Sequence, residues 1–316
     1  MIDIVGKRYW WFLLSVLVIL PGLVSLAVNG LRVSIDFTGG TLWELQMSRT
    51  VQPGEVQRVL AANGYDGSMV QTSEDNVVLI RTKEIQEGSE AKNQLLTALQ
   101  DEFGQVTELR LESVGPTLGT EIRNRAIIAV ALASIGILLY IAFAFRNTQN
   151  PFLYGTAAII AMLHDVAILL GLVSILGWLR GVEVDALFIT AVLTVIGFSV
   201  HDTIVVFDRI RENLAHKVGE TFEETVNYSV VQTLVRSLNT SITTILPLAA
   251  LYLFGGETTK TFVLVLLVGI IAGTYSSIFN ASQILVAWEN GEIQRFFARL
   301  RGQGRQSVPA GKGTRP

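Results

Sequence analysis

Two histidine–aspartate pairs, His164-Asp165 and His201-Asp202, lie within segments that are otherwise almost wholly apolar. The second falls in "GFSVHDTIVVFDRIREN", Gly197 to Asn213. An imidazole changes charge near neutral pH, and a carboxylate does so where burial opposes its ionised form. Side chains of these two kinds, placed away from water, suit proton uptake and release. They do not suit a zinc site, which needs three or four convergent ligands. No HExxH spacing occurs in the sequence. There is also no cysteine, so neither thiolate chemistry nor disulfides are available.

An aspartate in the middle of a membrane span costs about 2.5–3.5 kcal/mol on insertion scales. Such a residue usually faces the protein interior and marks a pathway or a relay. The best partner for Asp202 in the sequence is Arg236, the first charged residue of "RSLNTSITTILP". Asn239, Thr240 and Thr243 follow it at helical spacing and form one polar stripe, while Ser199 and Thr203 flank Asp202. Burial disfavours the aspartate's charge and a nearby arginine favours it. A carboxylate balanced in this way changes protonation when the geometry changes. The alternative is structural, an Asp–Arg pair that only holds two helices together. Asp165 has no buried cation as an obvious partner and is either a pathway residue or a structural one. Neighbouring helical residues point about 100° apart, so neither His164 nor His201 is expected to share its aspartate's partner. Each is a proton shuttle or a satisfied polar residue.

The elements that carry these residues follow from hydropathy. Half of the 316 residues are hydrophobic and only 16% are charged. The apolar residues gather in six blocks, about 9–28, 126–145, 152–178, 184–207, 235–254 and 261–288. Each block is long enough to cross about 30 Å of hydrocarbon as a helix. Lys7, Arg8, Arg146, Arg209, Arg211, Lys217 and the tail residues Arg295, Arg299, Arg301, Arg305, Lys312 and Arg315 fall on one side. The positive-inside rule makes that side cytoplasmic. Both termini are then cytoplasmic, and the first block is expected to be an uncleaved anchor rather than a signal peptide. The basic inner face is a topology signal and gives no reason to expect nucleic-acid binding.

Residues 30–122 fall outside and carry 14 acidic against 7 basic residues. Strands are predicted at 41–47, 68–72, 76–82 and 106–114, with a turn at Glu74-Asp75, and helices at 53–65 and 89–104. The order β-α-β-β-α-β is that of a ferredoxin-like α+β domain, and nothing in it suggests catalysis. The predicted organisation has four parts: 1–29, a cytoplasmic end and first span; 30–122, the extracytoplasmic domain; 123–289, spans two to six; and 290–316, a basic cytoplasmic tail. Thr221 and Glu224 form a capping-box pattern. An amphipathic helix over about 219–234 is expected either to lie along the inner membrane surface or to pack on the inner ends of the spans. Gly269, Gly273, Ser277 and Ala281 make a small-residue ridge in span six, read as a packing surface.

Several of these segments together resemble the SecF members of the SecD/SecF protein-export family, within the resistance–nodulation–division superfamily. The resemblance covers nearly the whole chain. It is carried by "IDFTGG" (35–40), "MLHDVAI" (162–168), "TVIGFSVHDTIVVFDRIREN" (194–213), "RSLNTSITTIL" (236–246) and "LYLFGG" (251–256). It implies an accessory translocase subunit of the bacterial inner membrane with no catalytic residues and no cofactor, driven by a transported proton or sodium ion. It implies SecD as the partner half, and the SecYEG channel, SecA, YajC and unfolded preprotein as the wider assembly in the bilayer. It assigns Asp202 and Arg236 to the ion pathway, with a further aspartate from SecD, and Asp36, Gly39 and Gly40 to a motif just outside span one. The sequence departs from the family at His201, where asparagine is common. Two other readings remain: a stand-alone small-molecule exporter of the same superfamily, and a structural assembly factor in which the charges only join helices.

Overall fold

The computed structural model describes residues 2–72, 76–146 and 150–295. The elements in chain order are α1 (Arg8–Asn29), α2 (Ile35–Thr38), β1 (Gly40–Met47), α3 (Pro53–Ala62), β2 (Met69–Thr72), β3 (Val77–Thr82) and α4 (Glu90–Phe103). Then come β4 (Val106–Val114), α5 (Pro116–Ala144), α6 (Pro151–Arg180), α7 (Ala186–Ala215), α8 (Phe222–Phe254), α9 (Glu257–Ser276) and α10 (Ser282–Glu289). A π-helical turn, Ser277–Ala281, joins α9 to α10. Among the described residues six helices are long and apolar enough to cross a membrane: α1, α5, α6, α7, α8 and the run Thr259–Glu289. In lipid a spanning segment must satisfy its own backbone, which a helix does. The chain is a multi-pass membrane protein.

Two compact units divide the chain. One consists of Leu26–Ser134 and Val173–Ala191 and contains the sheet. Its four strands run in the order β2-β3-β1-β4, every pair antiparallel, so β3 splits β1 from β2 and β1 splits β3 from β4. Along β1 the alternate residues Trp43, Leu45 and Met47 point into one core with Val56 and Leu60 of α3 and Leu95, Leu99 and Phe103 of α4. This is the period-two pattern of a half-buried sheet packed against helices. The buried Trp43 indole donates to Glu108 Oε2 at 2.9 Å, which satisfies its one polar atom. Ser89 caps α4, its hydroxyl accepting from the amide of Lys92 at 3.2 Å. Such a side-chain acceptor fills one of the amides that a helix start leaves open. The predicted turn at Glu74-Asp75 lies outside the described residues, as does the tail beyond 295.

Gly39 and Gly40 lead the chain into β1 at a close crossing. Both hold positive φ, +72° and +120°. Residues with a Cβ are strained there. A Cβ on Gly39 would sit 2.7 Å from Pro116 Cα at the start of α5, and one on Gly40 2.6 Å from the Thr82 carbonyl oxygen. The helix of span two therefore starts at Pro116, earlier than the apolar block that begins near 126.

The other unit consists of Met1–Ser25, Ile135–Leu172 and Val192–Pro316. Small residues set its helix crossings: Gly22 of α1 meets Gly171 of α6 backbone to backbone, and Gly269 and Gly273 of α9 lie against Val195 and Ser199 of α7. Of the two placements expected for the helix at about 219–234, a separate element along the membrane surface or a helix packed on the ends of the spans, the buried face fits the second. The helix is the first half of α8, continuous with span five, capped by the Thr221–Glu224 box. Val226 and Val230 are buried, so this part packs inward. No helix breaker stands between 222 and 246, and the ladder simply continues. At the same end of the unit Arg8 binds Glu223 at 2.8 Å and Glu292 at 2.6 Å. The starts of spans one and five and the end of span six are thus held together.

Candidate functional site

Asp165 of α6 is completely buried. Its Oδ2 accepts hydrogen bonds from Ser199 Oγ of α7 at 2.5 Å and from Ser276 Oγ of α9 at 2.7 Å. Its Oδ1 lies 2.9 Å from Nδ1 of His164. His164 was expected not to share the partners of Asp165, because adjacent helical side chains diverge. Its imidazole instead meets the carboxylate itself, and its ring stacks on Tyr275 with 6.1 Å between centroids. Two hydroxyls and a ring nitrogen therefore satisfy this carboxylate without a basic side chain.

Asp202 of α7 is 4% exposed. Its Oδ1 accepts from Ser237 Oγ of α8 at 2.8 Å, while Oδ2 is buried without a hydrogen-bond partner among the described residues. The expected Asp202–Arg236 ion pair is not formed among the described residues. Helical geometry is the reason: Ser237 takes the inward position, and Arg236, one residue earlier, turns to the exposed face of α8. Its positive charge still acts on Asp202 through space. Asn239, Thr240 and Thr243 are exposed on the same helix, and the two threonine hydroxyls donate to carbonyls of their own helix rather than to Asp202. His201 is also exposed.

Ser199 and Thr203 were expected to flank Asp202. Both are buried, but they face α9 and the turn after it instead. Ser199 serves Asp165, and Thr203 Oγ1 pairs with Ser277 Oγ at 2.9 Å. Helix α7 therefore serves a carboxylate on each of two faces, with Asp165 bound on one and Asp202 presented to α8 on the other. Span six contributes polar side chains whose hydrogen bonding was not expected from the sequence, where Ser277 was read only as part of a packing ridge. Thr274, Ser276, Ser277 and Asn280 are all buried there, and Thr274 pairs with Ser241 of α8. The signal was present as closely spaced hydroxyls in "GTYSSIFNAS", but the glycine ridge beside them read as packing alone. The π-helical turn begins directly after Ser276, and such turns recur where a helix serves a function. Among the described residues no cluster of three or more His, Asp or Glu stands ready for a metal ion.

In the sheet-containing unit, Asp36 of the "IDFTGG" segment accepts from the amide of Ala186 at 2.9 Å. It thereby caps α7, the helix that bears Asp202. Asp185 adds a second cap at the amide of Phe188, 2.7 Å away. Burial raises the Asp185 carboxyl above its ordinary range, and the nearby charge of Asp36 adds to that. The loop before α7 is pinned further. The Ser34 amide donates to the Val184 carbonyl at 2.9 Å, the Val184 amide donates to the Arg32 carbonyl at 2.7 Å, and Arg81 pairs with Glu183.

Six spans with buried carboxyl groups held between them, and a small sheet inserted between the first two, define a polytopic membrane protein that keeps ionisable groups inside the bilayer. Residues 94–291 match the family model "Protein export membrane protein SecD/SecF, C-terminal", and residues 24–51 match the "SecD/SecF GG Motif" model. The protein translocase subunit SecF of Thermobaculum terrenum is 56% identical over 309 residues, which cover 95% of this chain and 98% of that protein. The protein translocase subunit SecDF of Thermus thermophilus is 39% identical over 269 residues, 83% of this chain but 35% of that longer protein. The crystal structure of SecDF from Thermus thermophilus, described as a translocon-associated membrane protein, superposes with a TM-score of 0.77 at 35% identity. It matches 92% of this chain, which spans 39% of that one. The chain belongs to the SecD/SecF family of protein-export membrane proteins.

Proposed function

We propose that this chain is the SecF half of a SecD–SecF assembly that uses the proton-motive force to assist preprotein translocation. The observation that carries the reading is Asp202, buried within a span with one carboxylate oxygen unpartnered among the described residues. A buried, half-satisfied carboxylate is costly unless it is used. One elementary charge crossing 100 mV supplies about 2.3 kcal/mol, enough to bias two arrangements of α7 against α8. A proton is the favoured ion, since Asp202 has a single hydroxyl partner and no ring of oxygens.

SecD is the partner we infer. Arg236, Asn239, Thr240 and Thr243 form an exposed polar stripe on a spanning helix, which lipid disfavours and a polar partner helix would cover. Relatives in which the two halves are fused support the choice, such as the protein translocase subunit SecDF of Bacillus subtilis, 34% identical over 298 residues. An acidic SecD residue opposite Arg236 would complete the pathway, and His201, exposed beside Asp202, borders it. The wider assembly in this reading is the SecYEG channel, SecA, YajC and unfolded preprotein, with no cofactor. The chain then lies in the bacterial inner membrane. The end that joins Arg8, Glu223 and Glu292 is cytoplasmic, and the sheet, a ferredoxin-like module, stands outside.

The absence of cysteine makes a direct test simple. Asn239→Cys gives a unique thiol on the stripe, to be oxidised in membranes beside SecD variants with single cysteines along their spans. A SecD–SecF cross-link at acidic-residue depth is expected. Cross-links only between copies of this chain would contradict the reading and favour a stand-alone exporter.

A further inference from the structure

We propose that His164 and Asp165 form a second proton-binding site in the membrane, separate from Asp202, with Nε2 of His164 as the atom that takes up the proton. The inference rests on the ion-coupled reading above, but it concerns a different face of α7 and different residues.

The hydrogen bonds define the unloaded state of the site. Asp165 Oδ2 is filled by two donors, the hydroxyls of Ser199 and Ser276. Its Oδ1 faces His164 Nδ1, and a neutral imidazole that donates from Nδ1 keeps its lone pair on Nε2. Nε2 is buried and has no hydrogen-bond partner among the described residues. A bare lone pair is the less costly orphan, whereas a buried N–H with no acceptor is the more costly one. The geometry thus fits an ionised Asp165 beside a neutral His164, with a single negative charge on the pair.

Loading adds one proton from water. An N–H bond forms at Nε2, no bond between heavy atoms changes, and the pair becomes neutral as imidazolium and carboxylate. If the shared proton then moves from Nδ1 to Oδ1, the charge is still zero and Nε2 still carries hydrogen. Either loaded form presents an N–H that finds no acceptor in the present arrangement. Uptake therefore requires a water or a shift of the helices at Nε2, which links proton binding to movement. Ser276, which holds Asp165, directly precedes the π-helical turn, a feature that recurs at functional sites.

Among the described residues no other charge faces the pair. From α9 the ionisable neighbour is Tyr275, whose hydroxyl donates to the Trp11 carbonyl at 2.7 Å. From α7 the neighbour is Ser199, and Asp202 is turned to α8. From α1 the polar neighbour is Ser15, which hydrogen-bonds Tyr275 and Asn280. Arg236 lies on the exposed face of α8.

The chain has three histidines, so ring-15N-labelled histidine resolves them by NMR in the full chain with SecD in nanodiscs. His164 is expected to show the Nδ1–H form at high pH and to become imidazolium as pH falls, while the exposed His201 and His216 serve as references. Asp165→Asn removes the counter-charge and should lower the imidazolium fraction of His164 at fixed pH about tenfold or more. Ser276→Ala, a milder change, removes a donor to the carboxylate and should raise it. Asp202→Asn should leave it unchanged. A His164 signal that stays neutral from pH 9 to pH 4, or that responds equally to the changes at Asp165 and Ser276, overturns the proposal. An unchanged His164 titration in Asp202→Asn, together with a loss of export there, would support two separate sites.

Discussion

Gly39 tests how tightly the sheet is tied to the start of α5. Its backbone stands at φ 72° and ψ 169°. That region is essentially restricted to glycine, and alanine there costs about 1–3 kcal/mol in backbone strain. The added Cβ would lie 2.7 Å from Pro116 Cα, a backbone atom that cannot swing aside. Such overpacking adds about 1–3 kcal/mol. Gly39→Ala should therefore destabilise this part by about 2–6 kcal/mol. At about 1.4 kcal/mol per tenfold, amides of β1 and β4 that exchange through opening of the sheet should exchange at least about 30-fold faster. Hydrogen–deuterium exchange with mass spectrometry on the full chain in detergent reads this directly. Gly54→Ala is the control of opposite sign, since a Cβ there meets nothing within 4 Å, φ is not positive and the site is in α3. It should slow exchange, by the about 0.5–1 kcal/mol that alanine gains over glycine in a helix. Less than about threefold acceleration in Gly39→Ala, or the same response at both glycines, would refute the steric reasoning.

Asp36→Ala removes a cap from α7. The loss should cost about 1 kcal/mol and speed amide exchange at 186–190 about fivefold, while Asp36→Asn should recover most of it. Arg8 holds the Glu292 carboxyl below its ordinary range, chiefly by its hydrogen bond. A carboxyl lowered on folding stabilises the chain above its unfolded pKa of about 4.3, and that stabilisation is lost as pH falls through the lowered folded value. The fall in melting temperature between pH 6 and pH 3 should accordingly be shallower in Glu292→Gln. Val195→Phe should disrupt the α7–α9 crossing, because Val195 already lies against Gly269 with no room for a larger side chain. It should cost about 1–3 kcal/mol of stability and lower the yield of folded protein on size-exclusion chromatography.

Much of the fold could be read from the chain because its signals are local. Apolar runs of span length give the helices, alternation in "TLWELQM" gives β1, and Ser89, Thr221 and Glu224 mark helix starts by their own hydrogen-bonding chemistry. The helix over about 219–234 was expected as an element of its own, either on the membrane surface or packed on the ends of the spans, because hydropathy falls there. Its buried face fits packing, but the backbone ladder runs on into span five because no breaker stands between 222 and 246. The site was legible as residue types but not as pairs. Asp165 and Asp202 are found by their cost in lipid. Which side chain each one meets depends on helix rotation, and one residue of rotation exchanges Arg236 for Ser237. Ser276, which binds Asp165, lies 111 residues further along the chain, and no spacing rule connects the two.

In this account the charge on Asp202 converts the ion gradient into assistance for export. The direct measurement is preprotein export in cells that carry Asp202→Asn, with membrane abundance and SecD association followed in parallel. The account predicts that the complex assembles at normal levels and that the stimulation by the proton-motive force disappears. Export at the full rate, with its dependence on the proton-motive force retained, would contradict it and leave Asp202 as a structural residue.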